Sequence, residues 1–362
     1  MAATQQNTEI QLTQVSLIVT AVASTLLIWS TGAVAWNALT EGRLLGLLEA
    51  MFFGVLAGFL VYGNLCYQMA RIGQLKRVNS HRASWLESSS RFNHNSAPAL
   101  TVLVPSYNEE ISIIRQTLLS AALQGYPNKR VVLLLDNPPA PKTHQDLDAL
   151  WAGRSLPFEL QTLLKEPADH LTQAHSAFLA RRSADIVTVA DECVRLSECF
   201  WWAMEWFETQ AKRSPAESHT DIWFIQQVFN QPADSCRKQG VQWFARQRES
   251  TLLSEQLVLD EIDAAYAQLE ARFLAEFDVF ERKQYCNLSH EPNKAMNLNS
   301  YLGLMGKCVR PVSRKNGVAL EETSVLTGGR LIPETPYVIT LDADSILAPQ
   351  YASTLVQLME RP

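Results

Sequence analysis

The stretch "YVITLDADSILAP", residues 337–349, decides how the rest of the chain is read. Apolar and β-branched residues run into Asp342-Ala343-Asp344, after which the chain turns apolar again. On an extended strand, side chains alternate faces, so Asp342 and Asp344 point the same way. Two neighbouring carboxylates resist ionising together unless a cation sits with them. Hard oxygen ligands suit Mg²⁺ or Mn²⁺. Asp-x-Asp is also an ordinary strand end with an Asp-capped turn, so the surrounding chain has to discriminate.

Working outward, "ALTVLVP" (99–105) reads as a buried strand and "SYNEEISIIRQTLLSAALQGYP" as the helix after it. Ser106 and Glu109 have capping-box spacing, and Glu109 and Glu110 fall in a first turn, where the helix dipole favours acids. Ile114, Leu118 and Ala121 form its apolar stripe, and Gly125 and Pro127 end it. "RVVLLLD" (130–136) is a second buried strand, closing on Asp136. Two continuously apolar strands around a helix predict a parallel α/β sheet covered on both faces. Residues 98–136 therefore form the first part of an α/β domain and 290–362 the second.

Residues 137–289 break that rhythm and read as a mostly helical insertion. Leu259, Ile262, Tyr266, Leu269, Phe273, Phe277 and Phe280 recur at spacings of three and four, predicting one amphipathic helix of about six turns. Trp201, Trp202 and Trp206 read as the core of this subdomain rather than a glycan-stacking face. His170 and His175 are five apart, a poor spacing for a metal site on one helical face. Beyond the insertion, 290–306 predicts a loop and a helix closed by Gly306. Residues 307–336 predict a loop with a short hairpin, and "YVITLDAD" the next buried strand.

The chain has 362 residues, 47% of them hydrophobic and only 19% charged. No charge occurs from Ile10 to Thr40 or from Ala50 to Ala70. Each stretch is long enough to span hydrocarbon, predicting a two-helix transmembrane hairpin over 12–70 that turns at Gly42–Arg43. Arg71, Lys76, Arg77, Arg82 and Arg91 crowd the next segment, 71–97, which reads as a basic cytoplasmic linker by the positive-inside rule. The expected location is a multi-pass protein of the inner (plasma) membrane with its α/β domain in the cytoplasm. "MAATQQNTE" has no basic n-region and the first apolar run is too long, which argues against a signal peptide. A net charge of −6 argues against a nucleic-acid partner. The six cysteines show neither CxxC nor zinc spacing and read as buried, reduced thiols. There is no GxGxxG after a strand and no Walker loop, which disfavours dinucleotide and P-loop chemistry.

Pro105-Ser106-Tyr107-Asn108-Glu109, Asp136 and Asp342-Ala343-Asp344 thus fall at strand ends, where open α/β sheets bind ligands. Lys294 falls at a helix start, a favourable place for phosphate. "VPSYNEE", a strand ending in Asp, "NKAMNLN" and "LDAD", in that order, resemble the family 2 glycosyltransferases, above all membrane-embedded polysaccharide synthases of the cellulose synthase type. The resemblance covers 12–136 and 290–362. It implies a GT-A-like, mostly parallel sheet with helices on both faces, preceded by two transmembrane helices and interrupted by the insertion. It also implies an inverting, metal-dependent transfer from a nucleotide sugar, UDP-linked in most of the family, to a growing glycan or a lipid-linked acceptor. Tyr107 and Glu109 would line the base pocket and Asp136 would contact the uridine. Lys294 would contact the diphosphate, and Asp342 and Asp344 would hold the donor through Mg²⁺ or Mn²⁺.

Three departures stand out. Asn137 replaces the family's second Asp, and Ala295-Met296-Asn297 lacks its usual glycine. The family's later acidic motif and Gln-x-x-Arg-Trp motif do not occur, so the general base is expected beyond Pro362 and the chain reads as a fragment of a longer synthase. The competing reading is a non-catalytic membrane protein with a degenerate glycosyltransferase-like domain, serving as a complex subunit.

Overall fold

The computed structural model describes residues 2–88, 97–247 and 255–360. The chain divides into two compact units, residues 1–91 and 92–362. The first is an antiparallel pair of helices, α1 (Ala2–Thr40) and α2 (Leu44–Ser88). Residues 9–40 and 44–77 are long and apolar enough to cross a membrane. Gly42 makes the turn at φ +71°, a conformation that costs glycine nothing. Their seam is built from small and hydroxyl residues: Thr13, Thr20, Ser24, Thr31 and Ala38 face Gly46, Ala50, Gly54 and Ala57. Such residues let two backbones approach closely, with half-buried Leu17, Leu27, Val61 and Leu65 beside them, while most other Leu, Ile, Phe and Trp side chains of the pair are exposed. Gln68 Nε2 donates to Thr20 Oγ1 across the seam at 2.9 Å. The predicted linker 71–97 begins as helix instead, since α2 continues to Ser88. Residues 89–96, including Arg91, lie outside the described residues.

The second unit is built on four parallel strands: β1 (Leu100–Ser106), β2 (Lys129–Leu135), β3 (Glu276–Phe280) and β7 (Tyr337–Thr340), in the spatial order β3-β2-β1-β7. Strand alternation divides the core in two. Leu100, Val102, Val104, Val131, Leu133 and Leu135 pack towards one face, and Leu103, Val132 and Leu134 towards the other. The first face carries α3 (Ile111–Ala122) and the helices of the insertion: α4 (His144–Ser183), α5 (Val189–Arg213), α6 (His219–Phe224), α7 (Gln231–Arg246) and α8 (Glu255–Ala271). The second face carries α9 (Lys294–Leu302) and a small antiparallel sheet of β4 (Cys308–Arg314), β5 (Gly317–Glu322) and β6 (Arg330–Leu331). The expectation of helices on both faces is thus met by helices on one and a mixed layer on the other. A last helix, α10 (Tyr351–Met359), buries Ala352 and Val356 against the first face.

Several local expectations are corrected. The predicted six-turn helix over 259–280 ends at Ala271, and its last residues form β3. Phe277 and Val279, two apart, pack towards the helical face while Phe280 packs towards the other, which is strand alternation. Lys129 Nζ donates to the α8 terminal carbonyl of Ala271 at 2.6 Å and to Tyr126 O at 3.0 Å, satisfying a helix-end carbonyl, while burial and then Arg272 hold its pKa well below the ordinary lysine value. Ser106 does not cap α3: β1 runs through it, Asn108 turns at φ +54°, and Glu110 is an N-cap without a side-chain bond. The predicted hairpin at 307–336 is the β4–β5 pair, extended by β6. Strand β7 pairs with β1 alone, so it is an edge with Val338 and Thr340 exposed rather than a buried strand.

In the insertion, Trp206 is core as expected, meeting Phe207 and Phe273 edge-on at 5.2 and 5.1 Å. Trp201 and Trp202 are only half-buried, and Trp202 stacks on His170 at 4.2 Å. Cys193, Cys199 and Cys236 are buried, but Cys66 and Cys286 are exposed, contrary to the uniform burial expected. Burial pushes the Cys199 thiol up to about 11, which keeps it unreactive.

His175 on α4 lies between two carboxylates of α8, with Nδ1 2.8 Å from Glu270 and Nε2 2.8 Å from Asp263. Both ring nitrogens donate only when the imidazole is charged. Burial alone would lower its pKa, but the bonds and charges of Glu270 and Asp263 outweigh burial and hold it above the ordinary value. Arg182 also faces Asp263, at 3.8 Å. The raised folded-state pKa places the contribution at low pH. It is complete below the unfolded imidazole value of about 6.5 and disappears as pH climbs through the folded value. Thermal melts between pH 5.5 and 8.5 are expected to show this loss in the parent chain and not in His175→Asn, with a difference of about 1 kcal/mol.

Candidate functional site

In an open parallel sheet, ligands sit outside the carboxyl ends of the strands where strand order reverses. Here the chain builds β1, β2 and β3 in one direction and then returns to place β7 on the far side of β1, so the reversal falls between β1 and β7. A cavity of about 460 Å³ opens at this end of the sheet, lined among others by Tyr107, Glu109, Asp136, Lys294, Asp342 and Asp344. All six residues expected at a site from sequence line it.

They arrive from four places in the chain: the segments after β1, β2 and β7, and the start of α9. Tyr107 and Glu109 follow the tip of β1, with Tyr107 about half exposed. Asn108 beside them accepts from Asn137 Nδ2 at 2.8 Å, so the Asn137 amide ties the loops after β1 and β2 together. Lys294 opens α9, whose N-cap is Asn293, accepting from Ala295 N at 2.8 Å. β7 ends at Thr340, and the expected strand through Asp344 gives way to a turn over 342–345, closed by Ser345 N donating to Asp342 O at 3.0 Å. Leu341 and Ala343 are buried while Asp342 and Asp344 are exposed. Thr117 Oγ1 donates to Ala343 O at 2.6 Å, fixing the backbone between the two acids. Lys294 forms an ion pair with Asp342, both side chains being more than half exposed. Asp344 has no side-chain partner among the described residues.

Asp136 is held differently. Its carboxylate is almost fully buried, and fully buried Arg282 grips it with two bonds, Nε to Oδ1 at 2.7 Å and Nη2 to Oδ2 at 3.0 Å. Lys283 Nζ donates to Asp136 O at 2.6 Å, lies 3.3 Å from Oδ2, and sits 5.4 Å from the centre of the Tyr107 ring. Arg282 also donates to Ser289 O at 2.5 Å and to Glu291 O, in the loop leading to Lys294. One guanidinium thus fixes the tip of β2 relative to the start of α9.

Arg282, Lys283 and Asn297 were not among the expected site residues, and Ser106 was assigned only a helix-capping role within the strand-end motif. Arg282 and Lys283 were hidden because β3 was read as helix. The available signal was "EFDVF", two-residue alternation running into two basic residues. Asn297 lies inside "NKAMNLN", where the departure noted was Met296 in place of glycine and Asn297 was given no role. It is 1% exposed and donates from Nδ2 to Leu134 O at 3.0 Å.

Two carboxylates cannot enclose a cation alone. Among the described residues no group of three or more His, Cys, Asp or Glu is placed to hold a metal. The donor set does suit Mg²⁺, which is usually bound by one or two carboxylates plus phosphate oxygens and water. Compared with family models, curated proteins and solved structures, the chain gives no significant match.

Removing one member of a buried ion pair leaves the other uncompensated. Arg282→Met is expected to lower unfolding stability by about 3 kcal/mol in denaturant titrations, with Arg282→Lys recovering part of it.

Proposed function

We propose that this cavity binds the diphosphate of a nucleotide sugar and that the chain is a membrane-anchored, inverting, metal-dependent glycosyltransferase. The observation that carries this reading is the arrival of Asp342, Asp344 and Lys294 at the strand-order reversal, beside the aromatic ring of Tyr107. A ring for the base, a lysine at a helix N-terminus and a carboxylate pair together suit a nucleoside diphosphate. Asp342 and Asp344 would hold Mg²⁺ or Mn²⁺ with the diphosphate oxygens, and the ion would supply positive charge where the leaving group becomes negative. The two apolar helices supply the anchor, with the cavity on the cytoplasmic side of an inner membrane by the positive-inside argument.

In the transfer, the bond from the anomeric carbon to the diphosphate oxygen breaks as the acceptor hydroxyl attacks that carbon from the opposite side, which inverts its configuration. The bonding pair stays on the diphosphate, and the acceptor proton leaves to a general base. Lys294 stabilises the charge developing on the diphosphate. Its ion pair with Asp342 is exposed and therefore weak enough to be exchanged for phosphate. Arg282 and Lys283 keep the base end of the cavity in place. The acceptor is a growing glycan or a lipid-linked sugar, and no described side chain is proposed as the base.

A second reading, binding without turnover as a complex subunit, is favoured by Asn137 and by the engagement of the Asp136 carboxylate with Arg282 and Lys283. Calorimetry of the full chain in detergent separates the two. UDP is expected to bind at least ten times more tightly with Mn²⁺ than without, and Asp344→Ala is expected to abolish that difference while leaving the circular dichroism unchanged. Sugar release from a UDP-sugar should fall in the same variant. Failure of folded protein to bind UDP under either condition would remove the proposal, and binding without turnover would select the second reading.

A further inference from the structure

Asp136, the residue expected to read the base, has little capacity left to do so. Arg282 takes both of its oxygens, and Lys283 lies against one of them. Two other polar groups that border the cavity are unspent. Asn297 Oδ1 is buried without a hydrogen-bond partner among the described residues. Its identity as oxygen is fixed by its neighbour, because the Leu134 carbonyl can only accept and so must face the amide nitrogen. Ser106 is 4% exposed and lines the same cavity, and its hydroxyl has no partner among the described residues.

The two residues bracket the tip of β2. Ser106 lies beside Leu135 in the β1–β2 register and accepts from Asp136 N at 2.9 Å through its own carbonyl. Asn297 bonds to Leu134 from the α9 side. A buried acceptor with nothing to accept destabilises the fold unless a donor arrives. The floor therefore offers one committed acceptor, from Asn297, near one hydroxyl that donates or accepts, from Ser106.

Building on the nucleotide-sugar reading, we propose that Asn297, assisted by Ser106, selects the base. Asn297 Oδ1 accepts a ring N–H, and the Ser106 hydroxyl donates to the carbonyl oxygen beside it. That N–H/C=O edge belongs to uracil and, on a larger ring, to guanine. Cytosine and adenine place a bare ring nitrogen at the equivalent position, and a bare nitrogen faces an oxygen lone pair unfavourably. Oδ1 is closed off by its neighbours, so the contact forms as the base wedges in beside Tyr107.

The test is competition calorimetry on the full chain in detergent with UDP, GDP, CDP and ADP, all with Mn²⁺. UDP is expected to bind about tenfold more tightly than CDP, the size of one or two neutral hydrogen bonds. GDP above ADP by a similar factor shows that the edge alone is read, and UDP alone above the other three shows that ring size is read as well. Asn297→Leu should bring UDP and CDP to within about threefold of one another while the advantage of UDP over uridine persists. A merely structural loss would lower every nucleotide together. Ser106→Ala, a smaller change, should reduce the UDP-to-CDP ratio in the same direction and guards against Asn297→Leu failing to fold. Equal binding of all four nucleotides by the parent chain, or an unchanged UDP-to-CDP ratio in folded variants, overturns the base assignment while leaving the diphosphate site standing. Absence of binding by every nucleotide overturns both.

Discussion

A carboxylate at the tip of a central strand, out of reach of water, is a costly thing to place in a fold. Asp136 is tolerated because a fully buried guanidinium meets it with two parallel hydrogen bonds and an ammonium lies alongside. Much of the second unit follows from satisfying that charge. Strand β3 has to return from a long helical excursion to lie beside β2, since Arg282 and Lys283 immediately follow it. The loop at 289–291 has to pass close enough for its carbonyls to use the remaining guanidinium hydrogens. The start of α9 is then set, and with it Asn293, Lys294 and Asn297. A buried ion pair is poor evidence of stability, because desolvation offsets its attraction. Its value here is geometric: it admits one relative placement of three chain segments.

The cavity consequently has two sides of different character. The side formed by β2 and α9 is buried and cross-linked by charge. The side formed by the segment after β7 is an edge, with Asp342 and Asp344 exposed and Lys294 in an easily exchanged pair with one of them. Recognition of a fixed shape belongs on the first side, and coordination that changes as a ligand enters and leaves belongs on the second. The proposed division of labour, base on the rigid side and diphosphate on the open side, follows that difference.

Much of this was legible in the residues. The apolar runs at 99–105 and 130–136 identified β1 and β2 because a strand covered on both faces needs no alternation. The acids after residue 341 were readable as an Asp-x-Asp pair closing an apolar strand, although a turn over 342–345 and not strand alternation presents them. What was lost shows where local pattern runs out. Phe273, Phe277 and Phe280 fit a helical period, and only pairing with β2 makes a strand that sends Phe277 and Phe280 to opposite faces. Ser106 and Glu109 have the spacing of a cap, but β1 keeps Ser106 extended and Asn108 turns the chain before α3 can start. Strand β7 looked buried from composition, and its position at an edge is a fact of topology that composition does not carry. The hidden role of Asn297 depends on a carbonyl contributed by residue 134, a contact across 163 positions.

The return of β3 also changes what the insertion is. Residues 137–289 look like a detachable helical module, yet their last stretch supplies an edge of the parallel sheet and the counter-charge for its central strand. Any shortened variant that rejoins the chain after Lys283 would discard both, whereas one that rejoins it just ahead of Glu276 would keep them. The boundary between scaffold and ornament thus runs inside the apparent insert, a few residues before the chain becomes extended again.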